Sequence, residues 1–310
     1  MTGIIIDHVP ALTDQDIARA VDAAVEGQKE WAAKPQTERN RILRKFAEIV
    51  LSRREEIGAL LCSENGKRIA EAEEEVDTVA ALIESYCDKA SHIYGKSLPN
   101  GTDATSCHND IIFTRYEPLG VIACLLPFNF PVELCGHKIA PALAAGNSVI
   151  IKPPSDCPLA IIKMVECLHE AGVPKKAAQV VTGRGSVVGD ALITNPKIAA
   201  ITMTGGTETG IHIAGMAARN LTRCYLELGG NDAFVILEDA DIDLTIGQAL
   251  ESRVNNAGQV CCASKRYIVH ESVAEEFTKK LVAALEKLKI GDPTDRSNDV
   301  GGMISEDARN

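Results

Sequence analysis

Cys261 sits in Gly258-Gln259-Val260-Cys261-Cys262-Ala263-Ser264-Lys265-Arg266, and Glu227 lies 34 positions upstream in Leu226-Glu227-Leu228-Gly229-Gly230. A thiol and a carboxylate, each set in a glycine-rich stretch, are the parts needed to form a covalent thioester and then hydrolyse it. Attack on a carbonyl requires the thiolate, so such a cysteine needs a site that lowers its pKa or a base nearby. A second kind of chemistry is written in Thr204-Gly205-Gly206-Thr207-Glu208-Thr209-Gly210, which follows a predicted strand and opens a predicted helix. Backbone N–H groups at such a helix start, with the positive end of the helix dipole, suit a pyrophosphate. Gly183-Arg184-Gly185-Ser186-Val187-Val188-Gly189 is another glycine cluster after a strand, without the G-x-G-x-x-G spacing of a Rossmann fingerprint.

Together with Pro127-Phe128-Asn129-Phe130-Pro131, these strings resemble the NAD(P)-dependent aldehyde dehydrogenase superfamily over nearly the whole chain. The resemblance implies that Cys261 is the nucleophile, with Cys262 at a neighbouring position not used for attack. It implies that Asn129 and the backbone N–H of Cys261 hold the thiohemiacetal oxyanion, that Glu227 activates the deacylating water, and that Lys138, in His137-Lys138-Ile139-Ala140-Pro141, serves proton relay. Taken without the resemblance, Asn129 is also a turn former, Glu227 also a solvated or ion-paired carboxylate, and Lys138 also a helix-surface lysine.

For NAD or NADP the implied contacts are Pro127, Phe128, Lys152, Ser155, Gly185, Gly189, Gly206, Thr207 and Leu228. Two positions depart from the family pattern. Phe128 stands where the family usually has Trp, and Gly206 stands where it often has Ser, so a hydroxyl contact is lost. Ser155 occupies a place where NAD-preferring relatives often carry Glu, which predicts use of both nucleotides. The implied activity is oxidation of an aldehyde to a carboxylic acid; the alternatives are a CoA-acylating aldehyde dehydrogenase, against which Glu227 argues, and a non-catalytic dinucleotide-binding relative. No metal site is expected.

The elements that must position these residues are legible as periodicity. Asp14–Lys34, Thr37–Ser63 and Ile69–Ser91 carry apolar residues at three- and four-residue intervals and are predicted helices. Inside the third, the charge run Glu71–Glu75 is expected to form a solvated face. Leu98–Asp110 is turn-rich, and Ile111–Tyr116 alternates like a strand or hairpin arm; by the resemblance it is an oligomerisation arm. From Val121 apolar runs at Val121–Leu126, Ser148–Ile151, Ala178–Val181 and Ile198–Met203 alternate with helical stretches, the signature of a parallel sheet with helical crossovers. Leu228–Asn231 reads as a linker, after which strand Ala233–Leu237, a helix near Leu244–Arg253, the Cys261 loop, strand Tyr267–Val269 and helix Val273–Leu288 follow.

The expected fold is therefore α/β and aldehyde dehydrogenase-like: a Rossmann-like parallel sheet with helices on both faces, plus the first part of a second α/β domain. The dinucleotide-binding domain is assigned to residues 1–227, with the arm at about 98–117, and the beginning of the catalytic domain to 228–310. At 310 residues there is length for two domains and a large core. A net charge of −11 argues against nucleic acid and anionic membranes as partners. No stretch is apolar enough to span a bilayer, and no basic leader is evident. The ten cysteines show no Cys-x-x-Cys pair and read as reduced thiols, with the cytoplasm as the default compartment. Family members continue past Gly291-Asp292-Pro293, so the resemblance implies a C-terminally truncated chain, inactive as given. Its full-length form is expected to be a homodimer or homotetramer acting on a small aldehyde.

Overall fold

The computed structural model describes residues 3–99 and 111–309. Thr13 starts α1 (Asp14–Ala32) with a reciprocal capping box to Asp16. Three more helices follow, α2 (Gln36–Ser52), α3 (Arg54–Asn65) and α4 (Ile69–Ala90). The single helix expected over Thr37–Ser63 is thus two, because Arg53 leaves the helical region at φ −108°, ψ 19° and redirects the chain. Redirected, α3 packs on α4 and on α6 (Leu159–Ala171), a tertiary demand that the apolar spacing of either helix does not reveal.

In the arm, β1 (Ser97–Leu98) pairs antiparallel with β2 (Ile112–Phe113). The expected turn around Pro99-Asn100-Gly101 falls, from Asn100 to Asp110, outside the described residues.

Next come β3 (Val121–Leu125), α5 (Pro131–Ala144), β4 (Ser148–Lys152), then α6 already named, and β5 (Ala178–Val180). A short π-helical turn over Gly185–Gly189 leads into α7 (Asp190–Thr194). After it run β6 (Ile198–Thr204), α8 (Thr207–Ala217) and β7 (Arg223–Glu227). The sheet is wholly parallel in the order β5-β4-β3-β6-β7. β7 is the strand that the apolar pattern missed: it is an edge strand with a charged residue at each end and every residue at least partly exposed. The others show the period-2 logic of a doubly covered sheet. Val121, Ala123 and Leu125 pack with Val21 of α1, Leu192 of α7 and Ile213 of α8, whereas Ile122 and Cys124 pack with Ile139 and Leu143 of α5 and Met164 of α6.

Past Glu227 the chain builds β8 (Asp232–Ile236), α9 (Ile242–Val254), β9 (Ser264–Val269), α10 (Glu271–Leu285) and the short α11 (Glu306–Arg309). β8 and β9 form a separate parallel pair. It has its own small core of Ile236, Ile242, Ile246, Ala249 and Phe277.

The Glu71–Glu75 run is not a solvated face. Glu71, Glu73 and Glu75 are buried, and only Glu74 is exposed. Each buried carboxylate has a partner from elsewhere in the chain: Arg54 and Arg296 reach Glu73, and Lys67 reaches Glu75. Glu71 receives the backbone N–H of Asn256. Helical periodicity cannot report partners that arrive from other elements.

Candidate active site

The strand order reverses between β3 and β6, the place where ligands bind beyond the carboxyl ends of an open α/β sheet. A cleft of about 990 Å³ opens there. The chain leaving β3 contributes Pro127, Phe128 and Asn129; the chain leaving β4 contributes Lys152 and Pro154; the turn after β6 contributes Thr204 to Gly206. Gly185, Gly189, Leu228, Gly229 and the Gly258–Cys261 loop complete the lining. Nine of the residues singled out from sequence thus meet in one cavity: Cys261, Asn129, Pro127, Phe128, Lys152, Gly185, Gly189, Gly206 and Leu228.

Cys261 stands in an exposed turn between a tight, non-helical turn over Asn255–Gly258 and β9. Gly258 makes that turn at φ +79°, where an added Cβ would press on Arg253. Partial burial pushes the Cys261 thiol above its ordinary value, and the neighbouring Cys262 thiol adds to the effect. Lys265 spends its ammonium on backbone oxygens, Cys261 at 2.7 Å and Val260 at 3.3 Å, rather than on the sulfur. Among the nine described cysteines, all unbridged, only Cys261 and Cys262 are exposed. Asn129 donates one side-chain N–H to the carbonyl of Gln259 at 2.8 Å; its second amide hydrogen is left for another acceptor.

Four expected residues lie off the cleft lining. Glu227 ends the edge strand β7 with an exposed side chain, and its backbone carbonyl accepts from Gly205 at 3.0 Å. Lys138 is buried on α5 and donates to Thr204 Oγ1 at 2.7 Å, so it meets the cleft only through that hydroxyl. Burial lowers the Lys138 pKa, while nearby thiols and Glu227 act in the opposite sense. Ser155 turns into a smaller cavity of about 190 Å³ with Arg184 and the N-terminal residues Val9 to Ala11; Pro154 borders both cavities. Thr207 begins α8 but does not border the cleft, whereas Glu208 and Thr209 do. Lys152 donates to the Pro153 carbonyl at 2.9 Å, and burial lowers its pKa.

The residues that hold these loops were not evident from sequence. Asn65 donates to the Phe128 carbonyl at 2.7 Å. Glu64 accepts the Leu159 and Ala160 N–H groups at 2.8 Å each, fixing the start of α6 and with it the Lys152–Cys157 loop. Lys67, paired with Glu75, donates to the Asn129 carbonyl at 2.7 Å. Glu64 to Lys67 follow the last apolar residues of a helix, where polar residues ordinarily meet water; only the fold turns them inward.

The glycine walls suit a dinucleotide. Beside Gly185, Gly189, Gly206 and Gly229 an added Cβ would meet nothing within 4 Å, so bare backbone borders open space. At the first turn of α8, N–H groups lack intrahelical acceptors, and Gly206, Glu208 and Thr209 there line the same cleft.

The family model for the aldehyde dehydrogenase family matches residues 1–310. The chain belongs to the aldehyde dehydrogenase family. Among curated relatives of this family, it is 38% identical over 308 residues to a D-glyceraldehyde dehydrogenase (NADP(+)) of Thermoplasma acidophilum, covering 99% of this chain and 61% of the relative. It is 37% identical over 293 residues to a 3,6-anhydro-alpha-L-galactose dehydrogenase of a Vibrio strain, covering 94% of this chain and 60% of the relative. Among solved aldehyde dehydrogenase structures, one from Brucella melitensis biovar abortus matches with a TM-score of 0.95 at 35% identity, over 99% of this chain and 62% of that one. The lactaldehyde dehydrogenase of Escherichia coli matches with a TM-score of 0.93 at 35% identity, over 98% of this chain and 63% of that one. The chain thus spans about 60% of the length of the curated relatives it matches.

Proposed function

We propose that this aldehyde dehydrogenase family member oxidises an aldehyde to a carboxylic acid with NAD or NADP, through a thioester on Cys261. The observation that carries this reading is the meeting of Cys261, Asn129 and the glycine walls in one cleft at the switch point of the sheet. The Cys261 thiolate adds to the aldehyde carbon, and the oxyanion that results takes hydrogen bonds from the Asn129 amide and the Cys261 N–H. A nicotinamide, when bound in the cleft, would supply the acceptor for the hydride that leaves the carbon. Lys152, the first turn of α8 and the glycines would hold the dinucleotide. Glu227, from the end of β7, takes the proton of the water that hydrolyses the thioester, and Lys138 supports the proton transfer through Thr204. We read residues 1–227 as the dinucleotide-binding unit and 228–310 as the start of the catalytic one. We also read the exposed Ile111, Phe113 and Tyr116 of the arm as the surface through which copies of the full-length form associate.

Single-turnover and steady-state formation of NAD(P)H, measured across an aldehyde panel in a form of full family length, tests the reading. Cys261→Ala abolishes both signals, while Cys262→Ala keeps most of each. The reverse ranking overturns the assignment.

A further inference from the structure

Asn129 works in two directions. Its side chain faces the cleft, whereas its backbone carbonyl faces the protein interior and accepts two hydrogen bonds, from Lys67 Nζ and from Asn256 Nδ2, each at 2.7 Å. Both donors are 1% exposed. Lys67 is ion-paired with Glu75 and lies 4.0 Å from the centre of the Phe130 ring. The other oxygen of Glu75 accepts the N–H groups of Val132 and Glu133 at 3.0 Å each, in the first turn of α5. The pair therefore grips this loop at Asn129 and again where it enters α5.

Asn256 brings the nucleophile loop to the same point. Its backbone N–H reaches Glu71 at 3.1 Å, and its side chain donates to Asn129 while its own amide oxygen finds no protein partner. Asn256 and Ala257 both take left-handed backbone angles, φ 48° and 54°. Side chains rarely adopt that region, and it persists where the surroundings over-determine it. Three polar groups buried around one carbonyl are a poor investment in stability, because a buried ion pair contributes little net gain over an apolar packing of the same volume. Their geometry has another use: Lys67 and Glu75 hold the loop that carries the oxyanion donor, and Asn256 ties to it the loop that carries Cys261.

We propose that Lys67, Glu75 and Asn256 are positioning residues that set the separation of the Asn129 amide from the Cys261 thiol, and so control carbonyl addition at that thiol. The inference rests on the reading that Cys261 is the group acylated.

Two reactions of Cys261 separate positioning from general integrity. With p-nitrophenyl acetate, the sulfur adds to the ester carbon and the oxyanion then collapses to expel p-nitrophenolate, leaving an acetyl thioester. With iodoacetamide, the sulfur displaces iodide at a saturated carbon and no oxyanion forms. Both rates are measured in a form of full family length carrying Lys67→Met together with Glu75→Gln, or carrying Asn256→Ala alone. The paired substitution avoids leaving a lone buried charge. Acylation is expected to fall on the order of 10²-fold, as a displacement of about 1 Å does, while alkylation keeps its wild-type rate. In an Asn129→Ala background the same substitutions produce no further loss of acylation.

Equal falls in both rates, wild-type acylation in a folded variant, or a loss undiminished in the Asn129→Ala background each overturn the proposal. Should the paired variant melt, Asn256→Ala leaves the ion pair intact and reads the same ratio. Cys261→Ala serves as the control for the underlying reading: wild-type acylation there refutes the nucleophile itself, whereas its loss beside unaltered cluster variants refutes only the positioning role.

Discussion

Glu64→Gln should make the protein more resistant to unfolding at alkaline pH and not at acid pH. Glu64 is 6% exposed and accepts both leading N–H groups of α6. Burial pushes its carboxyl from an ordinary 4.5 to about 7, against the two backbone hydrogen bonds, which act to lower it. The folded chain therefore keeps a proton that the unfolded chain has already lost, and stability falls as pH rises from 4.5 to about 7. At about 1.4 kcal/mol for each tenfold change in proton affinity, that window is worth about 3 kcal/mol. Gln is neutral throughout and keeps one acceptor oxygen, so it forgoes one hydrogen bond of about 1 kcal/mol. The variant should match wild type at pH 5 and exceed it by about 2 kcal/mol at pH 8. Urea unfolding followed by circular dichroism at pH 5, 6.5 and 8 measures the difference at each pH. A variant-minus-wild-type difference that stays constant across this range, or a wild-type advantage at pH 8, would show that Glu64 titrates as an ordinary carboxyl.

Cys261 should alkylate with iodoacetamide at a rate that climbs about tenfold per pH unit from pH 6 to 8.5, since its thiol is held above the usual range and the thiolate is the reactive form. A plateau below pH 7.5 would show a thiolate stabilised within the protein and would refute the raised value. Glu227→Gln, in a form of full family length, should keep the first-turnover burst of NAD(P)H and slow the steady state by about 10²- to 10⁴-fold. If added CoA instead draws off acyl-CoA in preference to free acid, the thioester is passed to a thiol and Glu227 is not the deacylating base.

The sequence by itself determined the class of fold and the family, and it marked the candidate site residues. Apolar runs at Val121, Ser148, Ala178 and Ile198, each followed by a helical stretch, left a parallel sheet as the natural arrangement, because strands buried on both faces lose their polar alternation. The short strings around Cys261, Asn129 and Gly206 identified the family and located the loops, since a tight turn or a helix start is specified by a few adjacent residues. β7 escaped because Arg223 and Glu227 bound a strand only five residues long, and an edge strand needs little apolar surface.

What only the tertiary structure decided is which polar residues stop being surface. Glu71, Glu73 and Glu75 belong to a run of charge along α4 that reads as a solvated stretch, yet arginines, a lysine and backbone N–H groups from other segments bury them. The same assembly turned Lys67 and Asn256, 189 residues apart (256 − 67), toward one carbonyl of Asn129. It also set Glu227 and Lys138 beside the cleft rather than on its wall. Periodicity records how a segment meets a core, because hydrophobic burial is non-directional and scales with area. Hydrogen bonds and ion pairs depend on distances of a few tenths of an ångström between groups far apart in the chain, and those distances exist only once the chain has folded.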